Sequence, residues 1–360
     1  MSSTSQLPRV SVVMPVRNEA GFIDRNLDAV LAQDYPLDRL EVLVADGMSD
    51  DGTREIVRNV ILDTGRARAV GAGDAAAESA SPVVLVDNPE RVMPTGTNAA
   101  IRRATGEVIV LLGGHAELPA GYIRACVELL VQSGADCVGG ALVSVGDGAM
   151  GEAIAAAMSS PFGIGNSGFR TATGGGPVEV DTIPFGAYRR SVFERVGLFN
   201  PSMIRHQDYE FNYRVRQAGG RMLLLPSLKA TYHVRSSLAA LWRQYWQYGI
   251  WKGRFVRRFP QSLRLRHLAP PLFTLSVVLA ALLALAFPAT WPLLATLAGA
   301  YLAFIVIGLV SFAARGQWRV LPYLPAVMVC LHFSYGLGIW LGLVLPRVPE
   351  APRLDAPPGS

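Results

Sequence analysis

The sequence predicts an α/β domain with a mostly parallel sheet, followed by interfacial amphipathic helices and about three transmembrane helices. In the first half, short β-branched runs alternate with helical patterns, which is typical of a parallel sheet wound with helices. The second half contains long uncharged apolar runs, preceded by a strip of aromatic and basic residues. With 51% hydrophobic and 17% charged residues in 360, a disordered chain is excluded.

Strands and helices alternate over residues 10–112. The predicted strands are 10–16, 40–45, 83–86 and 108–112. Polar clusters follow three of them: Asn18 with Glu19, then Asp46, and later the run Gly113-Gly114-His115 with Glu117. Because ligands bind beyond the carboxyl ends of parallel strands, these clusters predict a binding site at one edge of the sheet. A helix cap or a turn is the alternative for any single cluster.

Two long apolar runs predict the membrane part. Residues 268–314 contain no Asp, Glu, Lys or Arg, which is room for two helices at about 20 residues per span. A third run follows at 321–345, and the predicted spans are 268–287, 292–313 and 321–345. A buried pair of core helices is the alternative, and it is disfavoured because the runs have no polar face.

Just before the first span, residues 238–259 read LAALWRQYWQYGIWKGRFVRRF. Aromatic rings among basic residues predict one or two amphipathic helices lying in the headgroup layer of an anionic bilayer. A solvated basic helix is the alternative. RNA binding by this strip is a poorer one, because the strip adjoins a spanning segment, so no nucleic acid is expected as a partner.

Basic residues set the expected orientation and location. Residues 211–349 carry 15 Lys and Arg and no acid, and the basic residues cluster before the first span and between the second and third. The positive-inside rule therefore predicts a cytoplasmic N-terminal domain and a C-terminus outside. The 31 Arg against 2 Lys favour a bacterial source, and hence a multi-pass protein of the inner (plasma) membrane.

These patterns divide the chain into four parts: an α/β domain over 1–235, interfacial helices over 236–266, a transmembrane region over 267–346 and a flexible tail over 347–360. Residues 144–179 are rich in Gly, Ala and Ser. This segment is interpreted either as a mobile loop beside the site or as a plain connector.

Four blocks of sequence resemble family 2 glycosyltransferases, which have the Rossmann-like GT-A fold. The blocks are VSVVMPVRNEAGFIDRNLDAVLAQDYP, VADGMSDDGT, GTNAAIRRATGEVIVLLGGHAELP and FGAYRRSVFERVGLFNPSMIRHQDYEFNYRVRQAGG, and they cover about residues 8–230 in order. Within the family, the sequence is most similar to the membrane-bound branch that includes succinoglycan glucosyltransferases. The resemblance implies an inverting hexosyltransferase that moves a sugar from a nucleotide-diphosphate sugar to a polyprenyl-linked saccharide, for cell-surface or extracellular polysaccharide synthesis.

The resemblance also implies which residues hold the donor. The residues that match the family's donor-binding positions are Val16, Asn18, Glu19, Asp46, Asn98 and Gly114. Many members have a second Asp where this chain has Gly47, so Asp46 alone must make that contact.

The metal motif departs from the family pattern. Most members end the strand at 108–112 with Asp-x-Asp, whereas this chain has Gly113-Gly114-His115. The resemblance implies that His115, with His233 downstream, binds the divalent ion that holds the diphosphate. Imidazole suits Mn²⁺ better than Mg²⁺, so Mn²⁺ is the expected ion. Alternatively, His115 is a neutral hydrogen-bonding residue that faces the phosphates.

Asp208 falls on the family's catalytic Asp, which the resemblance implies takes the proton of the acceptor hydroxyl. The run QDYEFNYRVRQAGG predicts a helix with Asp208 in its first turn, where the dipole favours the carboxylate. A plain capping acid is the structural alternative. Glu210 and Arg214, four residues apart, are expected to form an ion pair.

Other functions stay open at this point. A polyprenyl-phosphate glycosyltransferase would need little base catalysis, because its acceptor is already anionic. A catalytically inactive membrane scaffold is compatible with histidine at the metal position. A processive synthase is disfavoured because the Gln-x-x-Arg-Trp motif is absent, and a transporter because only His332 is ionisable within the third span.

Overall fold

The computed structural model describes residues 7–69, 73–114, 116–165, 168–172, 174–346 and 348–349, and of residues 265 and 266 it describes the backbone only. The chain forms two compact units. The first runs to Leu142, resumes at Ala172–Tyr232 and includes Pro349, whereas the second comprises Val143–Thr171 and His233–Val348. The elements in chain order are β1 (Val10–Val16), α1 (Ile23–Leu31), β2 (Leu40–Asp46), α2 (Thr53–Arg68), α3 (Asp74–Ala80), β3 (Val83–Asp87), α4 (Met93–Arg103), β4 (Val108–Leu111), β5 (Ala116–Glu117), α5 (Tyr122–Ser133), β6 (Cys137–Val145), α6 (Gly148–Met158), α7 (Pro161–Ile164), α8 (Gly168–Thr171), β7 (Val178–Glu179), β8 (Ala187–Arg189), α9 (Arg190–Val196), α10 (Gln207–Gln217), β9 (Met222–His233), α11 (Leu238–Arg258), α12 (Leu265–Ala286), α13 (Trp291–Ala314) and α14 (Leu324–Val344).

The strands of the described residues form one sheet in the order β3-β2-β1-β4-β8-β6-β9-β5, and β7 pairs with β9. The half from β3 to β4 is parallel, and β8 then pairs antiparallel with both β4 and β6. All seven residues of β1 are buried, as expected for a parallel strand covered on both faces. The α/β prediction is confirmed, with a sheet that turns antiparallel after its fourth strand.

Strand register brings the first three carboxyl ends together. Val16 pairs with Asp46, and Asp46 pairs with Asp87, so three successive strands end at one level. The three polar loops that follow them therefore lie side by side, at the edge where the sequence predicts the site.

The segment 143–171 belongs to the second unit and contains helices α6, α7 and α8. The sequence interpretation as a loop or connector did not include this helical structure. The run Glu152–Met158 within α6 is EAIAAAM, and alanine has the highest helix propensity of any residue, which explains why this part is helical.

Three helices in the second unit are long and apolar enough to cross a membrane, as predicted. They cover His267–Ala286, Pro288–Ala314 and Leu324–Val344, by length and composition. The aromatic and basic strip before them forms a single helix, α11, capped at its start by the Ser237 side chain.

Candidate active site

Unusual backbone conformations mark the loops at this edge of the sheet. Within the described ranges, the non-glycine residues with positive φ are Asn18 (56°), Met48 (57°), Arg91 (61°) and His206 (59°). The first three follow β1, β2 and β3, and His206 comes two residues before Asp208. Such conformations cost of order 1–3 kcal/mol each and cluster at functional sites.

Side-chain hydrogen bonds join the loop after β1 to the loop after β2. The backbone N–H of Asn18 donates to Ser49 Oγ at 2.9 Å, and the Asn18 side-chain amide donates to Asp50 Oδ1 at 2.9 Å. The Glu19 N–H donates to Thr53 Oγ1 at 2.8 Å. The two predicted donor-binding residues of the first loop are therefore held by the second loop and by the first residue of α2.

Asp51 also joins the loop after β1 to the loop after β2. Its carboxylate accepts hydrogen bonds from the Ala20 N–H at 3.0 Å and from Thr53 Oγ1 at 2.6 Å. These hydrogen bonds lower the pKa of Asp51, and the bond from Thr53 has the larger effect. The carboxylate is thus ionised wherever the fold is intact near neutral pH.

Asp46 is fully buried and already engaged by the protein. Its carboxylate accepts from Ser49 Oγ at 2.5 Å and from Arg54 Nη1 at 2.7 Å. The other Arg54 nitrogen, Nη2, lies 2.6 Å from the exposed Asp87. Asp87 and then Asp46 raise the pKa of Arg54. This carboxylate-arginine-carboxylate bridge fixes the ends of β2 and β3 relative to each other.

Gly114 lies against the buried side chain of Glu19. A Cβ at Gly114 would meet the Glu19 carboxyl group at 2.9 Å, so any larger residue would displace this side chain from its present position. The Gly114 carbonyl accepts a hydrogen bond from the Asn26 side chain at 2.6 Å. Two predicted donor-binding residues, from the first and third blocks, are thus in direct contact. His115 lies outside the described residues.

Asp208 is half-buried in the first turn of α10, as predicted. Its neighbour Gln207 donates from its side-chain amide to the Met93 sulfur at 2.8 Å. Since Met93 begins α4, which follows β3, this contact ties the start of α10 to the same loop edge. The helix that carries Asp208 therefore begins at the edge where the donor loops are predicted, and a single site formed by Asp208 and those loops stays a prediction.

The rest of α10 is anchored so that its first turn is held in place. Glu210 and Arg214 form the predicted ion pair at 2.8 Å, with the Glu210 side chain 3% exposed. Asn212 accepts a hydrogen bond from the Tyr188 hydroxyl at 2.7 Å. Burial, with Cys137 and less strongly Asp208 nearby, raises the pKa of Tyr188, which stays neutral.

Aromatic rings pack against the buried face of α10. Phe211 packs against Phe199 and Phe193, with ring centroids 4.5 and 5.0 Å apart, and against Tyr188 at 5.5 Å. Such pairs contribute about 0.5–1.5 kcal/mol each beyond the area that they bury.

Asn98 lies on α4 and is 2% exposed. Its side-chain amide donates to the Phe199 carbonyl at 2.8 Å and accepts from the Phe199 N–H at 2.9 Å. Both polar atoms are therefore used to hold the segment before α10. This is a structural role, and direct contact of Asn98 with the donor stays a prediction.

The predicted metal residues can be located only in part. His233 is the last residue of β9, and the residue before it, Tyr232, pairs with Ala116, which directly follows position 115. In the described residues, no group of three His, Cys, Asp or Glu side chains could hold a metal ion. The described side chains alone therefore do not make a metal site.

Sequence reasoning did not identify Arg54, Met48, Arg91 or His206 as parts of this site. Arg54 is four residues beyond Asp50 in a helix and gives no motif of its own. Sequence gives only a weak indication of a positive φ: among non-glycine residues, asparagine, aspartate and histidine are enriched in that region. Met48 and Arg91 lack even that cue.

Two curated proteins match nearly the whole chain. The succinoglycan biosynthesis protein ExoA of Rhizobium meliloti (strain 1021) is 28% identical over 96% of this chain and 96% of its own length. The dolichyl N-acetyl-alpha-D-glucosaminyl phosphate 3-beta-D-2,3-diacetamido-2,3-dideoxy-beta-D-glucuronosyltransferase of Methanococcus voltae is 22% identical over 93% of this chain and 97% of its length.

A solved structure shares the fold. It is the mannosyltransferase PcManGT from Pyrobaculum calidifontis in complex with GDP-Man and Mn²⁺, which superposes with a TM-score of 0.53 at 24% identity. The superposition covers 91% of this chain and 88% of that one. Both molecules have the GT-A fold that the resemblance implied.

A family assignment completes the comparison. Residues 11–197, which include the loops after β1, β2 and β4, match the family described as glycosyl transferase family 2. The match confirms the resemblance read from the four sequence blocks. The chain belongs to glycosyl transferase family 2 and is a glycosyltransferase.

Proposed function

We propose that this enzyme transfers a sugar, with inversion, from a nucleotide-diphosphate sugar to a hydroxyl group of a polyprenyl-linked saccharide. The observation that carries the proposal is the position of Asp208 in the first turn of α10, which Gln207 and Met93 tie to the edge where the donor loops begin. One carboxylate at that point supplies the base that hydroxyl attack requires.

The proposed reaction is a single displacement. The Asp208 carboxylate takes the proton of the acceptor hydroxyl as its oxygen bonds to the anomeric carbon. The bond from that carbon to the diphosphate breaks at the opposite face, and the nucleoside diphosphate leaves with the bonding electrons. One displacement at one carbon inverts its configuration.

The donor is expected to lie over the joined loops after β1 and β2. Asn18 and Glu19 are held there by Ser49, Asp50 and Thr53. We propose that Val16, Asn18 and Glu19 contact the base and ribose, with Gly114 leaving room for Glu19. Asp46 acts by fixing Ser49 and Arg54, since both of its oxygens are engaged by these two residues.

A divalent ion, Mn²⁺ rather than Mg²⁺, is proposed at His115, with His233 as a second ligand. The support is the donor chemistry of imidazole and the Mn²⁺ in the complex of the Pyrobaculum calidifontis enzyme. The described side chains do not complete a site for it. When bound, the ion would neutralise the charge that develops on the departing diphosphate.

A lipid-linked saccharide is the proposed acceptor, and polysaccharide assembly the proposed setting. The name of the Rhizobium meliloti relative refers to succinoglycan biosynthesis, and that of the Methanococcus voltae relative to a dolichyl-linked sugar phosphate. An acceptor of this kind lies in a bilayer, which suits apolar helices and a basic, aromatic α11. The positive-inside rule supports a cytoplasmic catalytic domain at a bacterial inner membrane.

The test is transfer of labelled sugar from a panel of UDP- and GDP-sugars into the lipid extract of membranes that contain the enzyme. The expected result is label in a lipid-linked product from which mild acid releases a labelled oligosaccharide, because the acid cleaves the anomeric phosphate and leaves the new glycosidic bond intact. Label only in a polyprenyl-phosphate monosaccharide would favour direct transfer to the lipid phosphate. Failure to bind or turn over any donor would leave the inactive scaffold as the remaining explanation.

A further inference from the structure

Helices α11 and α14 run side by side in the same direction with their backbones in contact. A Cβ at Gly249 would lie 2.4 Å from the Tyr335 carbonyl oxygen, and one at Gly253 would lie 2.3 Å from that of Ile339. The contacts advance along both helices together, since Cys330 Sγ reaches the Leu238 carbonyl at 3.5 Å near the start. Small residues at such spacing allow the closest approach that two helices make.

Three arginines at the end of α11 hold the end of α14. Each donates to a backbone carbonyl of the segment that directly follows α14. The pairs are Arg254 with Pro346 (2.9 Å), Arg257 with Leu345 (2.7 Å) and Arg258 with Val348 (3.0 Å). The carboxyl end of α14 is therefore fixed beside the carboxyl end of α11.

Helices α12 and α13 form an antiparallel hairpin. The rings of Phe273 and Tyr301 stack at 4.6 Å across it, and the turn between the helices contains Pro288. Its open end holds Leu265, where α12 begins, and Ala314, where α13 ends. If the hairpin crosses a bilayer, both of these residues lie on one face.

Both ends of α14 lie at that open end. Its first residue, Leu324, follows α13 after a short turn, in which Arg319 pairs with Glu152 of α6 at 3.3 Å. The segment just after its end is held by Arg258, which bonds the Val348 carbonyl and precedes α12 by only a short connection. A helix of 21 residues is about 31 Å long, enough to reach the far side if it ran along the hairpin.

The contacts of α14 with the hairpin agree with a crossing near its open half. Trp340 Nε1 donates to the Pro271 carbonyl at 2.8 Å, and His332 Nδ1 lies 2.9 Å from the Tyr301 hydroxyl. Toward the tip, large apolar side chains of both hairpin helices are exposed. They include Leu282, Leu283, Leu285, Phe287, Trp291 and Leu293.

Burial separates α14 from the other two apolar helices. Half of its most apolar stretch is buried by protein, against 22% for α12 and 11% for α13. A lone hairpin with an apolar surface along its outer half is what hydrocarbon covers. By contrast, α14 is covered by α11 and by the open half of the hairpin.

We propose that of these three apolar helices only α12 and α13 cross the bilayer, and that α14 lies with α11 in the near leaflet as a membrane-docking platform. The partner is an anionic lipid surface, since residues 211–349 hold 15 basic residues and no acid. The C-terminus is then on the same face as the catalytic domain, opposite to the expectation from three spans. In agreement, Pro349 accepts a hydrogen bond from the Asn200 side chain of the catalytic domain at 2.7 Å.

The test is the sidedness of three cysteine variants of the full chain: Ser5→Cys, Ala289→Cys and Ser360→Cys. The native cysteines, Cys126, Cys137 and Cys330, are buried, so background labelling by a membrane-impermeant maleimide is low. In spheroplasts and inverted vesicles, we expect Ser360→Cys to label in the same preparation as Ser5→Cys, and Ala289→Cys in the other. Labelling of Ser360→Cys together with Ala289→Cys would overturn the proposal.

Reporter fusions to the C-terminus give a second reading that needs no labelling. A fluorescent protein that folds only in the cytoplasm should fluoresce, and an alkaline phosphatase that is active only outside should be inactive. The reverse pattern would mean three crossings. Neither reading depends on enzymatic activity, so the topology can fail while the proposed transferase function stands.

Discussion

Arg54 lies 2.7 Å from the buried carboxylate of Asp46 and joins it to Asp87, so one guanidinium ties the ends of two neighbouring strands. Asp46 is fully buried, and a buried carboxylate is stable only when it is paired. The relative position of the loops that follow β2 and β3 therefore depends on Arg54, a residue of α2.

Replacing Arg54 with Gln should lower the free energy of unfolding by about 3 kcal/mol, because it leaves the buried carboxylate of Asp46 without its charged partner. The loss should be at the lower end of the usual range, since Ser49 still donates two hydrogen bonds to Asp46. Thermal unfolding in detergent measures it. Arg58→Gln, an exposed change in the same helix, is the control and should leave the midpoint unchanged.

Asp51 predicts a specific pH dependence. Its pKa is lowered in the folded enzyme, so the stability that it contributes is present above the unfolded pKa, about 3.9, and is lost as the pH falls through the folded value. In the Asp51→Asn variant, unfolding midpoints should therefore be lower at pH 6 and fall less between pH 5 and pH 3. An unchanged acid profile would show that the loops are held by other groups.

Gly253 predicts a packing defect. A Cβ there would lie 2.3 Å from the Ile339 carbonyl, so Gly253→Ala must push α11 away from α14. We expect a loss of about 1–3 kcal/mol, as for overpacking in general, seen as a lower unfolding midpoint in detergent. Gly299→Ala in α13 is the matched control, because nothing lies within 4 Å of its added Cβ. Equal midpoints for the two variants would contradict the contact.

The metal proposal predicts that chelation and removal of His115 act alike. Activity should fall at least 10-fold with EDTA, return with Mn²⁺ and return less with Mg²⁺. His115→Ala should weaken binding of nucleoside diphosphate in the presence of Mn²⁺ and leave metal-free binding unchanged, as measured by calorimetry. His267→Ala, which changes a histidine at the start of α12, is the control. Full activity in EDTA would remove the metal from the account.

The sequence predicted the parallel half of the sheet and the position of its site. Runs such as Val10–Val16 are apolar except for Ser11, which is typical of a strand covered on both sides. The helix of Asp208 and its ion pair were also predictable, because Glu210 and Arg214 are one turn apart. Both inferences use contacts that are local in the chain.

Features that depend on register or on distant contacts could not be predicted. Asn98 bonds to Phe199, 101 residues away, and no local pattern announces that contact. Asp87 meets Arg54 only because β3 pairs in register with β2. The course of α14 is of the same kind, since hydropathy reports length and composition but not which helix covers it.

The most direct test of the central claim compares the wild type with Asp208→Asn in the sugar-transfer assay, together with nucleotide binding. We expect transfer to fall by about 10²–10⁴-fold, the usual contribution of a general base, with the dissociation constant for the nucleotide unchanged. Asp63→Asn, an exposed acid on α2, controls for the loss of a charge. Transfer by Asp208→Asn at the wild-type rate would contradict hydroxyl activation by this carboxylate and the proposed reaction with it.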